Sequence, residues 1–244
     1  MDLTVDIGNS NIKLGLFNAG KLISVFTVSS ISHQRLLHYA LKRNVKNIIV
    51  SSVRGQSSQL FTPRIKKFFA NFLELNPSLA IPIKINYETK ETLGQDRIAA
   101  AAGARHIFPE KNILIIDMGS AITYDMVTKD NEFIGGNISP GLNMRFKALH
   151  QFTSQLPLCQ HSVQHGLFGK NTREAIISGV QNGIIFETEK YIENVKSRFS
   201  HSEIIITGGN SKFFDNKLKY TIFAEPNLIT LGLYKILKFN IYDY

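Results

Sequence analysis

The chain has 244 residues, 43% of them apolar and 19% charged, a balance that is typical of a globular protein with a sizeable core. Its formal charge of +9 is compatible with nucleic acid or with small anionic substrates as ligands. The basic residues are scattered along the chain, which argues against a dedicated nucleic-acid module and favours small anions.

Membrane insertion and secretion are not expected. No run approaches the roughly 20 apolar residues of a transmembrane helix, and a charged residue, Asp6, already stands in the first apolar segment, which argues against a signal peptide. Cys159 is the single cysteine, so no internal disulfide is possible and a cytoplasmic location is expected. We expect Cys159 to be a small core residue.

Hydrophobic patterning predicts strands and helices throughout the first half of the chain. Three antiparallel strands are predicted at 3–7, 12–17 and 21–28, with turns at Gly8-Asn9 and Ala19-Gly20. The next predicted elements are a helix capped by Ser32, a strand at 47–53, a helix over 57–72 that contains Pro63, a strand at 81–87 and an alanine-rich helix from about residue 95.

The opening pattern returns near the middle of the chain, where Asp117 stands in the place of Asp6. Residues 112–141 again predict strand, turn, strand, turn and strand. After them we predict a helix at 142–152, a loop at 156–169, a helix at 172–199, a strand that ends at Gly208-Gly209 and a helix at 227–239. This self-similarity predicts two related domains, 1–111 and 112–244, in an α/β protein with mixed sheets.

The polar turns are the candidate sites. Glycine lets the backbone approach a ligand closely, and successive N–H groups can converge on an anion. Asp6 would repel phosphate directly, but it fits if it holds a hydrated Mg²⁺. An ordinary hairpin explains the first turn equally well. The repeat at 117–121 and the later glycine turn favour a nucleotide site.

Six segments carry a family resemblance, and their order and spacing suit it along essentially the whole chain: DIGNSNIK, LGQDRIAAAAGA, IIDMGSAITYDMV, GGNISPGLNMRFKAL, NTREAIISG and ITGGN. They resemble the type III pantothenate kinases, within the superfamily of acetate and sugar kinases, actin and heat-shock chaperones. The resemblance implies two ribonuclease-H-like domains with a nucleotide in the interdomain cleft. It also implies a cytoplasmic homodimer that uses ATP, Mg²⁺ and a monovalent cation (K⁺ or NH₄⁺) to phosphorylate pantothenate, the first step of coenzyme A biosynthesis.

The resemblance also implies residue roles. Asp96 is the implied catalytic base, and Arg97 the implied ligand of the pantothenate carboxylate. Asp117 is the implied ligand of the monovalent cation. The implied pantothenate-binding residues are Tyr87, Gly94, Gln95, Asp96, Arg97 and Thr172, the last across a dimer interface. The implied nucleotide-binding residues are Asp6, Ile7, Gly8, Asn9, Ser10, Asn11, Ile12, Lys13, Ser120, Gly208 and Gly209.

Some of these positions have structural interpretations that the sequence leaves open. Asp96 and Thr172 both stand at predicted helix starts, where a first-turn acid and an N-cap are common. Lys90 stands where the family usually has proline, which puts the local loop shape in question. Ser10 and Ser120 replace the usual threonine and keep its hydroxyl. Asp125 is a further acid without an assigned role, and His161 and His165 are not expected to bind zinc.

Two other functions are compatible with the fold. The chain could be another sugar or small-alcohol kinase of the superfamily, or a nucleic-acid-binding regulator that retains the fold, which the +9 charge motivates. The complete set of site residues favours the pantothenate kinase, without nucleic acid or membrane as a partner.

Overall fold

The computed structural model describes residues 1–52 and 61–242. The strands are β1 (Asp2–Ile7), β2 (Ile12–Asn18), β3 (Lys21–Val28), β4 (Asn47–Ser52), β5 (Asn71–Glu74), β6 (Lys84–Ile85), β7 (Asn112–Met118), β8 (Ala121–Val127), β9 (Glu132–Pro140), β10 (Ser202–Thr207) and β11 (Phe223–Ala224). The helices are α1 (His33–Lys42), α2 (Pro63–Lys66), α3 (Gln95–Ile107), α4 (Leu142–Gln151), α5 (Thr172–Arg198), α6 (Ser211–Asp215) and α7 (Leu228–Tyr242), with a 3₁₀ turn at Lys90–Thr92.

The chain divides into two compact units. The first comprises Met1–Glu110, Asp130–Ile134 and Asn227–Tyr244, and the second comprises Lys111–Lys129 and Gly135–Pro226. The predicted domains were 1–111 and 112–244, whereas the compact units group the C-terminal helix α7 with the first half of the chain.

The first unit is built on a five-stranded sheet in the order β3-β2-β1-β4-β5. The strands β1, β2 and β3 are antiparallel neighbours, as predicted, while β4 runs parallel to β1 and β5 parallel to β4. The β2–β3 turn has positive φ at Ala19 and Gly20, and the Ser32 hydroxyl caps α1 by accepting from the Arg35 N–H at 3.3 Å. The core of this unit includes Leu3, Val5, Leu36, Ile48 and Phe61.

Glycine contacts explain why α7 belongs to the first unit. A Cβ on Gly232 of α7 would overlap the carbonyl oxygen of Ala99 in α3, so these two helices pack backbone to backbone. The ring of Tyr234 stacks on Phe17 of β2 at 4.0 Å. The C-terminal helix is therefore a structural part of the unit that carries β1 and α3.

The second unit contains β11, β10, β7, β8 and β9 as neighbouring strands in that order. Strand β8 is antiparallel to β7, while β10 runs parallel to β7. The short β6 pairs with the first residues of β9 within the first unit. The core of the second unit includes Tyr124, Leu142, Phe146 and Ile184, and Cys159 is buried in it as predicted.

Three sequence predictions about elements need correction. The predicted helix over 57–72 is, within the described residues, only α2, which begins at Pro63, where a missing N–H costs nothing; residues 57–60 lie outside the description. Strand β5 follows at Asn71 and was not predicted. The predicted strand at 81–87 is reduced to β6, and the predicted end of β4 at Val53 lies outside the described residues. No described helix combines the length and hydropathy that a membrane span requires.

Candidate active site

The first polar turn is a hairpin that leaves its side chains toward solvent. The Gly8 N–H donates to the Asn11 carbonyl at 3.0 Å, and this bond closes the loop between β1 and β2. Asn9, Ser10 and Asn11 are exposed. The hairpin interpretation is therefore correct for the backbone, and it leaves the exposed polar residues at the tip for a ligand.

Asp6 stands at the end of β1, directly before this turn. Its Oδ1 atom is shielded from solvent and has no hydrogen-bond partner among the described residues. Burial and the nearby Asp96 carboxylate raise the pKa of Asp6 to about 6, against the opposing effects of Lys13 and Ser51. The fold thus places the carboxyl of the phosphate turn close to that of the predicted catalytic base.

The start of α3 positions Asp96. Gly94 precedes the helix, and a Cβ there would lie 2.5 Å from Asp96 Oδ1, so a side chain at this position would require the carboxylate to move. Asp96 Oδ1 also accepts from the Arg97 N–H at 2.9 Å. The side-chain carbonyl of Gln95 accepts from the Ser52 N–H at 2.9 Å, which ties the start of the helix to the end of β4.

Arg97 is buried beside two aromatic rings. Its guanidinium carbon lies 5.8 Å from the ring centre of Tyr87 and 5.6 Å from that of Phe133, within the range of cation–π attraction. The two rings meet edge to face at 6.1 Å. A guanidinium held in this way is pre-organised to bind a planar carboxylate through two N–H groups.

Local hydrogen bonds order the loop that joins Tyr87 to Gly94. Lys90–Thr92 forms a 3₁₀ turn in which the Thr92 N–H donates to the Thr89 carbonyl at 3.0 Å. The two threonine hydroxyls also bond each other at 2.7 Å. Backbone and side-chain hydrogen bonds therefore constrain this loop, in which Lys90 begins the 3₁₀ turn.

The second polar turn lies between β7 and β8 in the second unit and is enclosed by glycines. Gly208, which follows β10 with φ +91, has no room for a Cβ because that atom would overlap Asp117 Oδ1. A Cβ on Gly141 would likewise overlap the Ser120 carbonyl. The repeated Asp-x-Gly turn, the late glycine turn and the GGNISPG segment therefore converge, and Ser120 is exposed at the tip.

Thr172 does not have the capping role that the sequence left open. The N-cap of α5 is Asn171, whose side chain accepts from the Glu174 N–H at 3.0 Å. The Glu174 carboxylate in turn accepts from the Lys170 N–H at 2.8 Å, one residue before the N-cap. Thr172 is exposed. Among the described residues it makes none of the polar contacts described for the first and second polar turns.

The remaining candidates have structural surroundings. Asp125 is fully buried on β8. His165 lies between Gln181 at 2.6 Å and Asn182 at 3.1 Å, and the described part of the chain holds no group of three or more side chains suited to a metal ion.

Sequence reasoning did not identify Ser51, which lies beside Asp6, or Phe133, which lies beside Arg97. The two adjacent serines that end NIIVSS and the aromatic residue in strand β9 are visible in the sequence. Their positions along the chain do not show which residues they contact in the fold.

Comparisons with known proteins show what this chain resembles. A family model described as type III pantothenate kinase matches residues 2–194. The type III pantothenate kinase of Cytophaga hutchinsonii is 41% identical over 243 residues, with 99% of this chain and 100% of that protein covered. The corresponding protein of Christiangramia forsetii is 40% identical over 242 residues, with coverage of 98% and 99%.

Solved structures show the same fold. A Campylobacter jejuni protein assigned to the Baf family of transcriptional activators matches with a TM-score of 0.66 and 25% identity, with 98% of each chain covered. A glucokinase from an Antarctic psychrotroph matches with a TM-score of 0.53 and 11% identity, covering 97% of this chain and 98% of the other. The second likeness concerns the fold alone, and it confirms the predicted α/β fold of the sugar-kinase and actin type.

Proposed function

The chain belongs to the type III pantothenate kinase family, and we propose that it transfers the γ-phosphoryl group of ATP to the primary hydroxyl of pantothenate. The product is 4′-phosphopantothenate, and the reaction is the first step of coenzyme A biosynthesis. The observation that carries this proposal is the proximity of Asp6, at the phosphate turn, to Asp96, at the start of α3. Phosphoryl transfer needs the phosphate-binding group and the base for the acceptor hydroxyl next to each other.

Asp96 is the proposed catalytic base. It orients the pantothenate hydroxyl toward the γ-phosphorus and takes its proton as the new O–P bond forms. The bond between the γ-phosphorus and the bridging oxygen then breaks, and ADP leaves. The Arg97 N–H orients the Asp96 carboxylate, and Gly94 leaves it space, which lowers the entropic cost of reaching the in-line geometry.

Asp6 and its turn are the proposed site for the Mg²⁺-bound phosphates. A shielded carboxylate oxygen without a hydrogen-bond partner among the described residues, close to a second carboxylate, fits a hydrated divalent cation. Such a cation, when bound, neutralises the charge of the phosphates. The proposed phosphate contacts of the first turn run through Ile7, Gly8, Asn9, Ser10, Asn11, Ile12 and Lys13.

The second turn is the proposed contact for the rest of the nucleotide and for a monovalent cation. Ser120 offers a hydroxyl at the exposed tip, and Asp117 supplies an acceptor-only carboxylate, which fits K⁺ or NH₄⁺. A Cβ on Gly209 would meet no atom within 4 Å, so this backbone faces open space in which a flat base can lie.

Arg97 is the proposed anchor of the pantothenate carboxylate, and Tyr87, Gly94 and Gln95 complete this end of the substrate site. Thr172 is proposed to reach the substrate of a second copy in a cytoplasmic homodimer. Large exposed apolar side chains support a homodimer, because exposed apolar surface is buried when a second copy binds. Those of the second unit include Ile138 at 67%, Phe152 at 81% and Phe186 at 56% exposure.

The test is a coupled assay of ADP release. We expect ADP to form with ATP, Mg²⁺, K⁺ and pantothenate, and not when pantothenate is replaced by glucose or other sugars. ADP formation with a sugar but not with pantothenate would support the other kinase reading instead. The regulator alternative predicts steeply salt-dependent affinity for DNA, and the family assignment does not favour it.

A further inference from the structure

Arg145 occupies an unexpected position in the second unit. It stands in the first turn of α4, and its side chain points back past the helix start. Its Nε donates to the Pro140 carbonyl at 2.8 Å. Its Nη2 donates to the Ser139 hydroxyl at 3.0 Å and to Glu187 Oε2 at 2.6 Å. One side chain thus binds the end of β9 and the long helix α5 together.

The charge of Arg145 needs a compensating partner at this place. The N-terminal end of a helix carries partial positive charge, so a cation there is unfavourable unless an anion neutralises it. Glu187 supplies that anion, and both side chains are largely buried, with 20% and 26% exposure. The Arg145–Glu187 pair therefore does not serve helix stability alone. It also fixes the position of the Arg145 side chain.

Glu187 is itself held by a rigid support. The neighbouring Thr188 shares a hydrogen bond with the Tyr124 hydroxyl at 3.1 Å, and the Tyr124 ring stacks on Tyr191 at 4.1 Å. Burial raises the pKa of the Tyr124 phenol above its ordinary value, so it remains a neutral hydrogen-bonding group. Arg145 is thereby anchored to α5 and to the sheet beneath it.

The segment that Arg145 holds is in contact with the second phosphate turn. Gly141 follows Pro140 directly, and its backbone lies so close to the carbonyls of Gly119 and Ser120 that a Cβ would overlap both. On the other side, Gly208 presses against Asp117 and Met118 in the same way. Any shift of Pro140 and Gly141 would therefore displace the turn that carries Ser120.

We propose that Arg145 is a positioning residue, which fixes Pro140 and Gly141 against the Gly119–Ser120 backbone and so holds the second turn in the geometry that ATP requires. The inference rests on the proposed function of that turn. Nε and Nη2 of Arg145 already donate to Pro140, Ser139 and Glu187, so the proposed role acts through these groups and not through a direct contact with ATP. Its loss should affect ATP selectively.

Steady-state kinetics of Arg145→Gln test this assignment. A displacement near 1 Å at a reacting group costs on the order of 100-fold, so kcat/KM for ATP should fall by about 10-fold to 100-fold, with a raised KM for ATP. The KM for pantothenate should change less than about twofold. The matched control is Lys147→Gln, an exposed cation on the same helix, which should keep wild-type constants.

Two further variants separate positioning from a direct contact with phosphate. Arg145→Lys keeps the charge but loses the planar guanidinium, so it should be as impaired as Arg145→Gln. A lysine variant with nearly full activity would show that the charge near the nucleotide is what matters, and it would overturn the proposal. Glu187→Gln should also raise the KM for ATP, and the double variant should be no worse than Arg145→Gln alone, because the two side chains act together.

Partial unfolding gives a different signature. It would lower kcat and leave both KM values unchanged, which would contradict positioning. Millimolar guanidinium or methylguanidinium ions should restore part of the ATP affinity of an Arg145→Ala variant, and an absence of any rescue together with unchanged KM values in all variants would also overturn it. A wild-type protein without pantothenate-dependent ADP release would instead refute the proposed function itself.

Discussion

Replacement of Asp6 by asparagine should stabilise the ligand-free protein at alkaline pH. The carboxyl is buried next to Asp96, and these two effects raise its pKa from 3.8 to about 6. A group whose pKa is higher in the native state than in the unfolded state binds its proton more tightly when folded. Its ionisation therefore costs stability, and this cost grows as the pH rises from about 4 to 6 and is complete above 6.

The magnitude follows from the two pKa values. At about 1.4 kcal/mol for each pKa unit, the rise from 3.8 to about 6 costs about 3 kcal/mol at pH 8. At pH 5 only about half of this cost is present. Asparagine has nearly the same shape and carries no charge, so Asp6→Asn should gain about 3 kcal/mol at pH 8 and about half as much at pH 5, while kinase activity is lost.

Urea denaturation of wild type and variant at both pH values measures this difference. EDTA must be present, because a bound cation would favour the ionised carboxylate and reverse the effect. The matched control is Asp130→Asn, which removes the same charge from an exposed turn. A variant that is less stable than wild type at pH 8, or a gain that does not depend on pH, would refute the assigned environment of Asp6.

Four further outcomes are expected. Asp96→Asn should cut turnover by roughly 10²- to 10⁴-fold while the protein stays folded, and nearly full activity would exclude a role as base. Gly232→Ala should lower the free energy of unfolding by about 1–3 kcal/mol or more in urea denaturation, because α3 and α7 must separate. Gly179→Ala, where a Cβ meets nothing within 4 Å, should raise it by about 0.5–1 kcal/mol. Equal effects would contradict the close packing of α3 and α7. Asn171→Ala should cost about 1 kcal/mol through loss of the α5 cap, and no change would assign the cap to another residue. Replacement of K⁺ by Na⁺ should depress activity, and indifference to the cation would remove the role proposed for Asp117.

The sequence predicted elements whose signals are local. Period-two alternation and a glycine turn define the β1–β2–β3 meander, and the cap of α1 is set by Ser32 and the three residues after it. The α5 cap is Asn171, with Glu174 three residues later, a local signal that the sequence analysis did not use. Thr172 was considered instead because the resemblance drew attention to it.

Features that depend on distant residues were not predictable. Strand β5 is stabilised by β4 and by the Asn71–Asn47 side-chain bond at 2.8 Å, and no local pattern reveals that partner. The pairing of Arg97 with Phe133 joins residues far apart in the chain. Arg145 and Glu187 likewise meet only because α4 and α5 pack together.

The repeat of Asp-x-Gly predicted two related turns, but it did not predict what lies beside each. The proximity of Asp6 to Asp96 depends on where β1 and β4 end, and where α3 begins, within the first unit. A sequence pattern gives the residue types at these positions, while only the packed unit determines the distance between the two carboxyl groups and hence the raised pKa of Asp6.

The most direct test of the kinase assignment is identification of the reaction product. Purified protein incubated with γ-¹⁸O-labelled ATP, Mg²⁺, K⁺ and pantothenate should yield a pantothenate phosphomonoester that carries the labelled phosphoryl group, detected by mass spectrometry, and Asp96→Asn should yield almost none. Label recovered only in inorganic phosphate, or equal product from both proteins, would contradict the account.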